Sequence, residues 1–148
     1  MNSIEPVYLE GWLRCWNFSN SSESGTNGGG WIAIWRDRLQ LEAHRTAIVP
    51  KERVLRVRQL KFQHPVYRLM SKITPARGLE TINIMVAHPP GEEYSGEIHY
   101  ELAFRQPSIT EGLRTFERFG YPVDWTPRVL RSYIYISDLS MDSVTKPG

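Results

Sequence analysis

Glu97-Ile98-His99-Tyr100-Glu101-Leu102-Ala103-Phe104-Arg105 alternates apolar with polar side chains. Successive residues of a β-strand point to opposite faces, so Ile98, Tyr100, Leu102 and Phe104 would line one side and Glu97, His99, Glu101 and Arg105 the other. The stretch predicts a strand with one buried and one wet face, as in an antiparallel sheet. Upstream, Ile82, Ile84 and Val86 repeat the alternation between Leu79 and Ala87, and His88-Pro89-Pro90-Gly91 stops it. Downstream, Ser108-Ile109-Thr110-Glu111 reads as a capping box that opens a helix. Ile109, Leu113 and Phe116 form the apolar stripe of that helix, and Gly120 is placed to close it despite Gly112 inside.

Val7 to Phe18 carries apolar residues on both parities, which predicts a strand inside a sheet and covered on much of both faces. Ser19 to Gly30 is polar and glycine-rich and predicts a flexible loop; its glycines lack the following Gly-Lys-Ser/Thr of a phosphate-binding loop. Trp31 to Trp35 and Arg38 to Ala43 read as short strands, and Arg53 to Phe62 as a strand with an exposed face. There Arg56 and Arg58 would share one side and Leu55 and Val57 the other. Pro65, Val66, Leu69, Met70 and Ile73 have the spacing of a short amphipathic helix ending before Pro75. Tyr121 to Pro127 is a turn-rich link. Val129 to Leu139 supplies a last strand, and Ser140 to Gly148 is expected to fray. The fold expected for residues 1–148 is one β-rich α+β domain, with a mostly antiparallel sheet and two or three short helices.

A chain of 148 residues, 41% apolar and 23% charged, has the composition of an ordinary globular domain. Its single cysteine, Cys15, can form no internal bridge, and Met1 to Pro6 lack the features of a signal peptide. Residence in a reducing compartment, without secretion, is the expectation. No apolar run is long enough for a membrane helix, so a membrane role would be peripheral.

The formal charge of +2 is unevenly spread. Arg36, Arg38, Arg45, Lys51, Arg53, Arg56, Arg58, Lys61, Arg68, Lys72 and Arg77 face only three acids over residues 36–77, a net of +8, and the remainder carries −6. These eleven residues are the candidate anion-binding set, suited to phosphate-bearing partners or to head-to-tail contact between copies. The alternative is that folding intermixes them with acids on a solvated surface. Of the five tryptophans, at least three are expected in the core.

Catalytic chemistry leaves no comparable trace. His44, His64, His88 and His99 lie 20, 24 and 11 positions apart, and no Cys-x-x-Cys or Gly-x-Ser-x-Gly occurs. Glu92 and Glu93 follow Pro-Pro-Gly and read as loop acids. The sequence therefore predicts no catalytic residues, metal site or cofactor. An enzyme would need a deep pocket holding two of the histidines or a carboxylate pair.

From Glu93 to Leu139 a family pattern emerges. Tyr94-Ser95-Gly96-Glu97-Ile98 opens a strand, a helix ends in Arg118-Phe119-Gly120-Tyr121-Pro122-Val123-Asp124, and a strand ends Ile136-Ser137-Asp138. That order resembles the carboxyl-terminal half of rhabdovirus matrix proteins. The resemblance implies a non-enzymatic viral structural protein of the virion and host cytoplasm, membrane-peripheral, self-associating as a homo-oligomer. Such a protein would bridge an anionic lipid membrane surface and a nucleoprotein–RNA complex, with no small-molecule substrate. The chain lacks the Pro-Pro-x-Tyr motif of animal-virus members, since Glu92 stands in the fourth place. A second expectation is an RNA-binding accessory protein without catalytic activity, in which Arg53, Arg56, Arg58 and Lys61 contact phosphates while exposed tryptophans stack bases.

Overall fold

The computed structural model describes residues 5–16, 28–43, 46–63, 65, 69, 80–88, 98–103 and 108–130. Eight strands form one mixed sheet: β1 (Val7–Trp16), β2 (Gly28–Ile34), β3 (Arg38–Glu42), β4 (Thr46–Pro50), β5 (Val54–Phe62), β6 (Glu80–Val86), β7 (Ile98–Ala103) and β8 (Arg128–Leu130). A 3-10 turn, Lys51–Arg53, joins β4 to β5, and the helix α1 (Ile109–Arg118) lies between β7 and β8. The spatial order is β4-β3-β2-β1-β7-β6-β5-β8. Two antiparallel meanders, β1 to β4 and β5 to β7, thus meet where β1 pairs with β7.

The inner faces of both meanders and one side of α1 share a single apolar cluster. Leu9, Leu13, Ile32, Ile34, Leu39 and Leu41 come from the first meander, and Val57, Ile82, Ile84, Tyr100 and Leu102 from the second. Leu113 and Phe116 from the helix close the cluster. The alternation predicted for 82–86 and 98–102 therefore places the expected residues inside.

Helix α1 starts and stops where its sequence says. Ser108 Oγ accepts from the Glu111 backbone N–H at 3.2 Å. At the other end Gly120 takes φ 90°, a left-handed conformation that costs glycine nothing. Its N–H donates to the Glu117 carbonyl and that of Tyr121 to Phe116, the paired bonds of a Schellman closure. The Tyr121 ring then meets Phe116 edge-on at 5.9 Å, supplying the apolar contact that accompanies such an ending. Tyr121 Oη also donates to the Trp35 carbonyl at 2.7 Å, tying the helix end to the β2–β3 turn.

The structure departs from the sequence reading at several places. Gly28, Gly29 and Gly30 belong to β2 and pair with Leu13, Trp12 and Gly11, so the loop ends earlier than Gly30. A Cβ at Gly30 would overlap the Glu42 carbonyl oxygen, so close strand approach dictates that glycine. Strand β4 had no prediction, because Ala47 and Val49 are too few to establish a period. A bulge separates Val54 from Arg56 on β5, which turns both Val54 and Val57 inward and leaves Leu55 exposed, unlike its expected partner Val57. β8 runs parallel to β5, a pairing made possible by the return through α1. Before it, the Val57 N–H donates to the Pro122 carbonyl and the Asp124 N–H to the Val57 carbonyl, so this segment follows the β5 edge.

α1 is the one α-helix with described bounds. The helix expected over 65–73 lies largely outside the described residues; Pro65 and Leu69 are helical and exposed, although Leu69 was assigned to an apolar stripe. The strand expected through Tyr133 to Ile136 and the tail 140–148 also lie outside them.

Candidate functional site

Seven of the eleven basic residues singled out by charge are described, and they occupy three environments. Arg45, Arg68, Lys72 and Arg77 lie outside the described residues. Arg36, Arg38 and Lys51 surround the corner where α1 ends against the β2–β3 turn. There the Arg36 guanidinium sits 5.5 Å from the Phe119 ring centre, Arg38 4.3 Å from Trp35, and Lys51 Nζ 5.6 Å from Tyr121. The flat aromatic faces attract these cations while leaving part of each charge in water. Asp37 is the acid at this corner, paired with Arg38 at 2.8 Å. Burial first, and the nearby Asp37 charge second, push the Tyr121 phenol above its ordinary pKa, so the hydroxyl stays a donor to Trp35.

Arg56 and Arg58 share one face, as expected, but that face is not open. Arg58 is only 6% exposed and lies 3.9 Å from the Asp124 carboxylate, and Arg56 is half-buried with Nη2 3.8 Å from Met85 Sδ. The strand register sets them in a polar layer. Arg14, Glu101, Asn83 and Arg58 stand opposite one another across β1, β7, β6 and β5, and Trp16, His99, Met85 and Arg56 form the adjacent row. Thr81 Oγ1 donates to Glu101 Oε2 at 2.9 Å, and Asn83 Nδ2 lies 3.3 Å from His99 Nδ1. Glu101 and His99, read from alternation as wet, are therefore buried at 3% and 5% exposure. Buried polar groups are generally hydrogen-bonded, and Thr81, Glu101, Asn83 and His99 of this layer are.

The remaining two basic residues are held locally. Arg53 Nε donates to the Ala87 carbonyl at 2.9 Å, and Lys61 lies 3.9 Å from Glu80. Among the described residues the basic set thus divides into a solvent-facing corner, a buried sheet face and isolated local pairs. It does not converge on one face.

A different surface emerges on the outer side of the first meander. Tyr8, Ala33, Gln40 and Ile48 form one row across β1 to β4, and Glu10, Trp31, Glu42 and Thr46 form the next. Trp12 follows opposite Gly29. Tyr8 is 57% exposed, Ile48 56% and Trp12 40%, with Tyr8 and Trp31 in edge-to-face contact at 5.3 Å. β1 lies inside the sheet, as expected, but the expectation that much of both its faces is covered fails at Tyr8, Glu10 and Trp12. So does the expectation that most tryptophans are core: Trp31 and Trp35 are half-buried, Trp12 and Trp125 are exposed, and the side chain of Trp16 is not described. Single-strand patterns could not reveal this surface, because strand register brings its members together.

His99 belongs to the polar layer, His88 follows the end of β6, and His44 and His64 are outside the described residues. Among the described residues no three His, Cys, Asp or Glu side chains gather as metal ligands. No described helix is long and apolar enough to cross a membrane. No protein-family model matches the sequence, and no curated protein matches it significantly.

Proposed function

We propose that this chain is a non-enzymatic, matrix-like structural protein that associates with copies of itself and docks on anionic membrane and ribonucleoprotein. The supporting observation is the corner formed by Arg36, Arg38 and Lys51, each cation braced on an aromatic ring, with Arg36 exposed and Arg38 and Lys51 half-exposed. The cations can meet lipid phosphate, while the rings, buried or half-buried against the core, hold them in place. Self-association has a separate support in the exposed Ile48 side chain on the edge strand β4, with exposed Tyr8 and Trp12 on the same outer face at β1.

The alternative, an RNA-binding accessory protein, draws less support. Of Arg53, Arg56, Arg58 and Lys61, assigned to phosphate contact, Arg58 is buried, the other three are half-buried, and Lys61 lies beside Glu80. The aromatic face that could stack bases carries Glu10 and Glu42, whose charges repel phosphate.

Flotation with phosphatidylserine-containing vesicles tests the proposal. Binding at low salt, its loss at raised salt, and loss in the Arg36→Glu/Lys51→Glu double variant are expected. The proposal is sunk by failure to float with anionic vesicles at any salt combined with a strictly monomeric sedimentation profile.

A further inference from the structure

We propose that the outer face of β1 to β3 binds an arginine-bearing segment of a partner protein, with the guanidinium on Trp31 between Glu10 and Glu42. This proposal uses a surface separate from the basic corner and goes beyond the membrane reading; it gives a second occupant to the face whose Tyr8 and Ile48 support self-association.

The site is a product of register. Glu10 of β1 lies directly opposite Trp31 of β2, and Trp31 lies directly opposite Glu42 of β3. Side chains so placed stand about 5 Å apart on one face, so the indole is flanked on both sides by carboxylates. Glu10 is exposed and takes part in no ion pair or hydrogen bond among the described residues. Glu42 is oriented by Thr46 Oγ1 at 2.6 Å and Gln40 Nε2 at 3.0 Å, both donating to Oε1, which leaves Oε2 for a ligand. The same bonds hold its carboxyl below the usual carboxylate pKa, so it stays charged.

Charge complementarity selects the occupant. A purely apolar partner would strip water from two carboxylates and return no hydrogen bond, a costly exchange. Phosphate groups are repelled. A cation satisfies both acids and also meets the Trp31 face, the aromatic side chain with the strongest cation–π attraction. Arginine fits better than lysine, because a planar guanidinium stacks on the indole while its edge donates to carboxylates on either side. Tyr8 and Ile48, one row along, give the partner's neighbouring aliphatic side chains an apolar floor.

Calorimetric titration of the intact chain with capped hexaarginine, hexalysine and hexaglutamate peptides is the test. Hexaarginine is expected to bind more tightly than hexalysine, and hexaglutamate not to bind. The Glu10→Gln/Glu42→Gln variant should weaken hexaarginine by about tenfold or more, and Trp31→Ala should weaken it similarly. The two Gln replacements are isosteric and lie on the surface, so an unchanged circular dichroism spectrum confirms that the variant is folded. The proposal is overturned if hexaarginine fails to bind, or binds the double Gln variant as well as the parent. Competition by a neutral oligosaccharide or by oligouridylate would overturn it too, by assigning the face to another chemistry. None of these outcomes decides vesicle flotation, which reads the Arg36 and Lys51 corner.

Discussion

The two meanders use the same kind of strand and finish differently. In β1 to β4 the outer side chains Tyr8, Glu10, Trp12 and Ile48 remain exposed, and the apolar core lies on the inner face. In β5 to β7 the outer side chains Arg58, Asn83, His99 and Glu101 are buried, so those strands are covered on both sides. β1 spans the boundary: Trp12 is exposed, while two residues later Arg14 is half-buried opposite Glu101. An acid in the first meander can serve a partner, whereas an acid in the second meander holds the molecule together.

Replacement of equivalent acids in the two halves sharpens this contrast most. Glu101→Ala removes the acceptor of Thr81 and leaves a polar layer incomplete, which should lower unfolding free energy by about 3 kcal/mol. Glu10→Ala, on the wet face, should leave the urea midpoint unchanged. Similar midpoints for the two variants would show that the second half is not closed over Glu101. Next in size is Gly30→Ala, expected to cost about 2 kcal/mol because its methyl group meets the Glu42 carbonyl. Gly29→Ala is its control, since a Cβ there would make only ordinary contact with Trp12, and thermal melts of the pair give the comparison.

The sequence conveyed local features well and lateral ones poorly. Ser108 and Gly120 determine the ends of α1 through bonds within a few residues, so both were legible. The inward positions of Ile82, Ile84, Tyr100 and Leu102 followed from period two. Glu101 was misread as wet because period two says which face a residue takes, never whether that face is covered. Arg58 was misread for the same reason. The Glu10–Trp31–Glu42 row was illegible, since its members are 21 and 11 positions apart and only strand register unites them. Among the described basic residues, clustering along the chain did not translate into one surface, because Arg36, Arg38 and Lys51 stand at the end of α1 whereas Arg58 is buried on β5.

Tyr121 links the halves, and its titration gives a smaller effect with a defined sign. Its folded-state pKa lies above the ordinary value of about 10, so the folded protein retains a proton that the unfolded chain releases. This contribution to stability is complete below about pH 10 and is lost as pH rises through the higher folded value. Tyr121→Phe should cost about 1 kcal/mol at neutral pH through the lost bond to the Trp35 carbonyl. It should also flatten the alkaline decline in denaturant stability. An identical alkaline slope in both proteins would place the titrating group elsewhere.

The smallest effect on folding tests the wet half directly. Ile48 is 56% exposed on β4, a strand at the end of the sheet order. Replacing it with lysine removes little buried area, so Ile48→Lys should shift stability by no more than about 0.5 kcal/mol. A lysine on an edge strand nevertheless discourages pairing with another chain, because docking there would desolvate its charge. Sedimentation velocity should therefore report weaker self-association with an unchanged melt. A large loss of stability instead would mean that the outer face of the first meander is covered in the folded chain, and the difference between the two halves would disappear.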